Sequence, residues 1–432
     1  MKKVLVITYY WPPAGGAGVQ RTLKFTKYLP EYGWKPYVLT VEKPDAPVYD
    51  ESLFADVHPE TEVIKTKALE PFEAYKKFTG KNSDEKIPAD VLMKETRSPK
   101  EKIAKFVRAN FFVPDAKIGW LPYALKKGKE IIERENIDII YASSPPQTVA
   151  LIGYKLAKQT GLKFVADFRD PWLEIVYNQK MKRSKITVAV DASLEKKVLS
   201  SADAVITVSE DIMKLLQSKA LHRNYHVIPN GYDETDFPET EPKKNEKFTV
   251  AYTGVMSPER VPYAFLSALA EMKKNGTKDI RCVFAGKFAE EFYNEIKRLG
   301  IEDFFEIKSF VPHSESVRIL LAADALLLVI NRVPDNKGIL TGKMFEYLGC
   351  KKPIFGIGPT DGEAAEILRD TESGVMIDYD DTETAYEKLF SFYSDWKNEE
   401  TKLKFKTDKF SRKRLTEKLA RIFDNLIDGD FG

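Results

Sequence analysis

The sequence predicts an α/β chain of two Rossmann-like, doubly wound domains facing each other across a cleft. Three observations lead there. The length of 432 residues exceeds what one core serves and suggests two domains of about 200 residues each. Short β-branched runs alternate with helical patterns along the chain, as happens where a parallel sheet is covered on both faces. One segment breaks the alternation: "GYDETDFPETEPKKNEK" (231–247), rich in proline and charge and poor in aliphatics, reads as a linker. The expected division is a first domain over 1–237, a second over 238–410, and a last segment over 411–432. That segment holds "RKRLTEKLARIFDNLI", a helix expected to pack back on the first domain.

In the first domain the strands are "VLVIT" (4–8), "PYVLT" (36–40), "EVIKT" (62–66), "IDIIYA" (137–142), "KFVADF" (163–168), "AVITV" (204–208) and "HVIPN" (226–230). In the second they are "FTVAYTG" (248–254), "RCVFAG" (281–286), "FEIKS" (305–309), "ALLLVI" (325–330), "PIFGI" (353–357) and "GVMID" (374–378). The stretch from Ala68 to Asn110 interrupts the rhythm. It contains "MKETRSPKEKIAKFVRANFF", where six basic residues accompany Ile103, Phe106, Val107, Phe111 and Phe112. Two readings stand: a basic amphipathic element resting on an anionic membrane, or a solvated helix whose apolar stripe closes the core.

Composition excludes several classes. Hydrophobic content of 43% with 31% charged residues is that of an ordinary globular protein. A net charge of +2 makes no global case for nucleic acid. Cys282 and Cys350 are far apart, without CxxC spacing, so neither a disulfide framework nor a thiolate zinc site is expected. His58, His222, His226 and His313 form no metal-binding pattern, and no metal or cofactor is expected. The N-terminal apolar run stops at Pro12 and Pro13 and reads as a buried strand rather than a signal peptide. No run approaches the roughly 18 apolar residues of a membrane span. The expected location is the cytoplasm, with peripheral contact on the inner face of the membrane left open.

Three stretches carry candidate chemistry. "YYWPPAGGAGVQR" places Gly15, Gly16 and Gly18 between a strand and a helix running from about Gly18 to Leu29. Glycines there admit an anion to the unpaired N–H groups of the helix start, or simply make a tight turn. A dinucleotide fingerprint fails, because its third glycine is Arg21 and no acidic residue ends the second strand. In "YTGVMSPERV" the strand ends at Gly254 and Arg260 follows, and "VFAGKFAEE" repeats the layout with Gly286 and Lys287. Either cation alone reads equally as a plain surface charge, but two after consecutive parallel strands sit on one sheet edge, where a guanidinium suits a bidentate phosphate contact.

The third stretch is "GILTGKMFEYLGCKKPIFGIG" (338–358). Its Gly-Lys pair is not a nucleoside-triphosphate loop: the required first glycine is Lys337 and the hydroxyl position is Met344. Read as a helix, it turns Met344, Phe345 and Leu348 to the core and Lys343, Glu346 and Tyr347 outward. A cation then meets the free N–H groups of the helix start, and a carboxylate lies about 5 Å along the axis. A nucleoside diphosphate has that layout, phosphates at one end and ribose hydroxyls a turn away. An ordinary i, i+3 surface pair is the alternative.

Taken in order, "PPAGGAGVQR", "SSPPQTVALIGYKLAK", "DFRDPW", "ITVSE", "VIPNGYD", "YTGVMSPERV" and "GKMFEYLGCKKPIFGIG" resemble the retaining glycosyltransferases of family 4, of GT-B fold, over nearly the whole chain. The resemblance implies that Glu346 matches the second glutamate of the family's Glu-x7-Glu motif, which holds the donor ribose. It puts Arg260 where the family's diphosphate-binding lysine falls, and Gly16 in the loop facing donor diphosphate and acceptor. The chain departs from the pattern at Gly338, where the first glutamate would stand, and at Val255, where an arginine is usual. The histidine common near the donor sugar is missing from "IDIIYASSPP". Arg169 and Asp170 of "DFRDPW" stand at a strand end instead, placed to orient an acceptor hydroxyl or to cap the next helix.

The resulting expectation is a nucleotide sugar as donor and a saccharide or lipid-linked acceptor, with no nucleic acid. Donor residues are Glu346, Arg260, Lys343, Lys287, Gly254, Gly16 and Gly15; Arg260, Lys343 and Asp170 serve the reaction. A sugar-nucleotide epimerase of the same fold and a non-catalytic nucleotide-sugar-binding subunit are the rivals.

Overall fold

A computed structural model describes residues 1–46, 49–69, 106–175, 181–221, 224–237, 244–309, 311–400 and 403–429. Most of the basic stretch before Asn110 lies outside them. The chain forms two compact units, Met1–Pro229 with Leu415–Gly432, and Asn230–Arg414.

In the first unit the elements follow as β1 (Lys2–Ile7), α1 (Ala17–Tyr28), β2 (Trp34–Val41), β3 (Glu62–Thr66), α2 (Leu121–Glu135), β4 (Ile139–Ser144), α3 (Gln147–Thr160), β5 (Lys163–Phe168), α4 (Lys185–Ser201), β6 (Ala204–Thr207), α5 (Glu210–Lys219) and β7 (Tyr225–Val227). The strands form one parallel sheet in the order β3-β2-β1-β4-β5-β6-β7. Strand side chains alternate between faces, and both faces are covered. Leu5, Ile7 and Leu39 join one apolar cluster, while Val4, Val6 and Val38 join another. The last strand is shorter than its apolar run suggests. Pro229 offers no N–H to a ladder, and after Ile228 the backbone turns away, with the Pro229 carbonyl accepting from Arg21 Nη1 at 3.0 Å.

The second unit holds β8 (Phe248–Met256), α6 (Tyr263–Lys274), β9 (Ile280–Phe288), α7 (Glu290–Arg298), β10 (Phe305–Lys308), α8 (His313–Leu321), β11 (Ala325–Val329), α9 (Gly342–Cys350), β12 (Ile354–Ile357), α10 (Glu363–Asp370), β13 (Gly374–Ile377) and α11 (Thr382–Lys397). Its parallel sheet runs β10-β9-β8-β11-β12-β13. Strand order reverses between β8 and β11, and ligands of such sheets bind at the carboxyl ends beside that point. The final helix, α12 (Arg412–Asp428), places Leu415, Leu419 and Phe423 among the core of the first unit, with Phe423 edge-on to Trp34 at 5.2 Å.

The candidate donor site and its relatives

Strand β8 ends at the order reversal and passes through a single turn, Pro258–Arg260, with proline at its start. That turn carries Arg260 back over the sheet edge. Its Nε donates to Asn331 Oδ1, just beyond β11, and its Nη1 to the Val255 carbonyl at 3.2 Å. The guanidinium thus ties together the loops leaving β8 and β11.

Helix α9 starts beside it. Thr341 is its N-cap but makes no side-chain cap, no acidic residue occupies the first turn, and Thr341 Oγ1 is buried without a partner. The first N–H groups of a helix have no intrahelical acceptor, so this end is suited to an anion. Lys343 leans over β8: its Nζ donates to Tyr252 Oη at 2.9 Å and lies 4.2 Å from the centre of that ring. The Tyr252 hydroxyl in turn donates to the Val255 carbonyl at 2.9 Å.

Glycine is required beneath the lysine. Gly254 has φ +112°, and a Cβ there would stand 2.6 Å from Lys343 Nζ; one on Gly286, its partner in register on β9, would stand 2.0 Å from the Gly254 carbonyl oxygen. Burial, and then the charge of Arg260, lowers the Lys343 ammonium to about 7, with Glu346 pulling the other way. Two cations held this close, one of them half-discharged, form a site that gains when an anion arrives.

One turn along α9, the Glu346 carboxylate meets His313 Nε2, at the start of α8, at 2.7 Å. Lys343 turns to Tyr252 and Glu346 to His313, so the two are not a surface ion pair. Tyr347 corrects the helix reading: it is fully buried rather than outward, its hydroxyl enclosed against the Thr253 backbone. Lys287 is in register with Val255 and exposed on the same edge. The structure therefore gathers Arg260, Lys343, Glu346, Gly254 and Lys287 at one end of one sheet.

Gly15, Gly16 and Asp170 belong to the first unit. Gly16, with φ +91°, is the N-cap of α1. Arg169 binds three carbonyls around that loop, those of Gly18, Pro145 and Ser144, so it stitches the start of α1 to the ends of β4 and β5. Burial lowers the affinity of its guanidinium for a proton. Asp170 is half-buried and caps no described helix; burial raises its carboxyl above the usual range, and Arg169 offsets this in part.

Beneath them lies a network that pattern reading missed. Arg21 and Asp167, both fully buried, make two hydrogen bonds of 2.9 Å, and Asp167 Oδ2 also accepts from Tyr141 and Ser143 at 2.7 Å. Tyr252, Asn331 and His313 were likewise not anticipated. Tyr252 was within reach, since it precedes Gly254 by two residues and so shares its face of the strand.

A model described as Glycosyltransferase Family 4 matches residues 85–236, and one described as Glycosyl transferases group 1 matches 233–410. Together they cover most of the chain, which belongs to the GT-B glycosyltransferases of the family 4 type. Among curated proteins nothing matches in sequence. Among solved structures, a glycosyltransferase of Rickettsia africae ESF-5 is similar with TM-score 0.60 at 14% identity, over 99% of each chain. The sucrose-phosphate synthase of Thermosynechococcus elongatus gives 0.61 at 14%, over 100% of each. HepE of Anabaena, in complex with UDP, gives 0.59 at 14%, over 98% of this chain and 100% of that one. At such identities the likeness speaks for the fold.

Proposed function

We propose that the protein moves a sugar, with retention, from a nucleoside-diphosphate donor to a saccharide or lipid-linked acceptor in surface-polysaccharide synthesis. The observation that carries the donor half is Lys343: a lysine at a helix start, poised over Gly254 beside Arg260, with the Glu346 carboxylate one turn along. The cations take the diphosphate, and Glu346 releases His313 to accept the ribose hydroxyls. That the Anabaena relative was captured with UDP, and in other crystals with glucose or UDP-glucose, supports a donor of this class.

In the transfer, the bond from the sugar's anomeric carbon to the phosphate oxygen breaks. The acceptor oxygen bonds to that carbon from the same face, and the departing diphosphate takes the acceptor's proton. Negative charge grows on the phosphate, where Arg260, Lys343 and Lys287 stabilise it. Asp170, with its raised carboxyl, is assigned to the acceptor hydroxyl, and the Gly15–Gly16 loop to the donor diphosphate.

One observation favours a second reading: Gly338 leaves no carboxylate where the family places its first glutamate, which fits a subunit that binds a nucleotide sugar without transferring it. Incubation with UDP-, GDP- and ADP-sugars separates the cases. Release of nucleoside diphosphate supports transfer, an altered sugar nucleotide means an epimerase, and binding without either product means a non-catalytic subunit.

A further inference from the structure

The first turns of helix α4 are built inside out. Its buried stripe begins with Thr187, Asp191 and Glu195, at i, i+4 and i+8, and turns apolar only at Val198 and Leu199. Each is satisfied there: Thr187 Oγ1 donates to Asn110 Oδ1 at 3.0 Å, Asp191 accepts from Trp172 Nε1 at 2.7 Å, and Glu195 from Lys219 Nζ at 2.8 Å. Spending the polar stripe inward leaves the first turns of the helix apolar on the outside. Ile186 is 78% exposed, and Val188 and Val190 are exposed beside it.

Asn110 extends this face. Its side chain accepts from the Ser184 N–H at 2.6 Å and donates to the Lys182 and Phe106 carbonyls, so the 106–111 segment lies against the start of α4. Phe111 is 72% exposed and Phe106 54%. Single apolar side chains on a surface mean little, but a contiguous cluster marks an interaction site.

Charge selects the partner. Residues 106–114 and 181–190 carry Arg108, Lys182, Arg183 and Lys185 and no acidic residue. The nearest carboxylate along α4, Asp191, is buried and held by Trp172 and Arg183. Lys182 and Lys185 are exposed at the rim of the apolar cluster. Aromatic and aliphatic side chains ringed by lysines match a bilayer interface, where apolar groups enter the headgroup boundary and cations meet anionic lipid. Among the described residues no helix is long and apolar enough to cross a membrane.

We propose that the start of α4 and the 106–111 segment form one docking surface for an anionic lipid bilayer. The site stands on the first unit alone and does not depend on the donor assignment.

The test is vesicle flotation of the full chain, using phosphatidylcholine alone or mixed with phosphatidylglycerol, at low and physiological salt. Binding is expected on the mixed vesicles and much less on phosphatidylcholine. Ile186→Ser combined with Phe111→Ser should lower partitioning roughly tenfold or more, since each removes a buried apolar side chain from the interface. Lys182→Glu with Lys185→Glu should abolish the preference for phosphatidylglycerol. Melting and nucleoside-diphosphate affinity should stay unchanged in both variants, which separates this surface from the fold and from the donor site. The proposal is overturned if the parent ignores the mixed vesicles or if the substitutions leave binding intact. It is also overturned if sedimentation shows a dimer that Ile186→Ser and Phe111→Ser dissolve, since the face then covers a second copy.

Discussion

At the scale of residues the account turns on Lys343 and Glu346. With its ammonium lowered to about 7 by burial and Arg260, Lys343 is charged below that pH and mostly neutral above it. A bound diphosphate favours the charged form, so above pH 7 binding must draw in a proton. The affinity advantage of the parent over Lys343→Met should therefore be full below pH 7. It should shrink as pH rises, by up to about 1.4 kcal/mol per unit. Calorimetry in two buffers of different ionisation enthalpy reads the proton directly, and equal uptake by parent and variant would remove Lys343 from the site. Glu346→Gln keeps the shape but not the charge. It should weaken ribonucleotide binding by roughly 1.5–3 kcal/mol and narrow the gap between ribose and 2′-deoxyribose ligands; a gap as wide as the parent's would argue against ribose contact. Both residues were legible in the sequence because a lysine and a glutamate at a helix start are a pattern. Tyr347 was misread because it was grouped with Lys343 and Glu346 by polarity, whereas its place three residues after Met344 puts it on the helix face that α9 buries. The partner of Lys343 lies on β8 and that of Glu346 on α8, contacts that exist only after packing.

Among elements, the strands announced themselves by their β-branched runs. What holds the first unit's edge did not, because its key charges are buried. Arg21 on α1 and Asp167 on β5 are 146 residues apart in sequence. Burial alone would raise the Asp167 carboxyl, but the Arg21 guanidinium outweighs it, together with hydrogen bonds from Arg21, Tyr141 and Ser143, and holds it below its usual value. An acid depressed in the fold contributes stability above its unfolded value of 3.8, and that stability is lost as pH falls through the folded value. Asp167→Ala leaves Arg21 buried with its charge unanswered and should cost about 3–5 kcal/mol in denaturant unfolding of the first unit. A loss under about 1 kcal/mol would mean that water, or the Pro229 carbonyl that Arg21 already reaches, satisfies the arginine.

For the whole molecule, a net charge of only +2 supplies no general attraction for anions. On the proposed reading, selectivity for a diphosphate comes from the local cluster at the β8–β11 reversal, where Arg260, Lys343 and the start of α9 converge. The α/β architecture and that reversal follow from strand and helix order, which is why the fold was readable. Most of the basic stretch before Asn110 lies outside the described residues, and the exposed apolar face joins Phe106 and Phe111, from the end of that stretch, to the start of α4, whose inverted pattern no periodicity rule rewards. The direct measurement is the affinity of the intact protein for a nucleoside diphosphate against the matching monophosphate, in the parent, Arg260→Ala and Lys343→Met. The account predicts that the parent prefers the diphosphate at least tenfold, about 1.4 kcal/mol, and that each substitution removes most of that preference while the monophosphate binds nearly as before. Equal affinity for both ligands in the parent, or an undiminished preference in both variants, would contradict it.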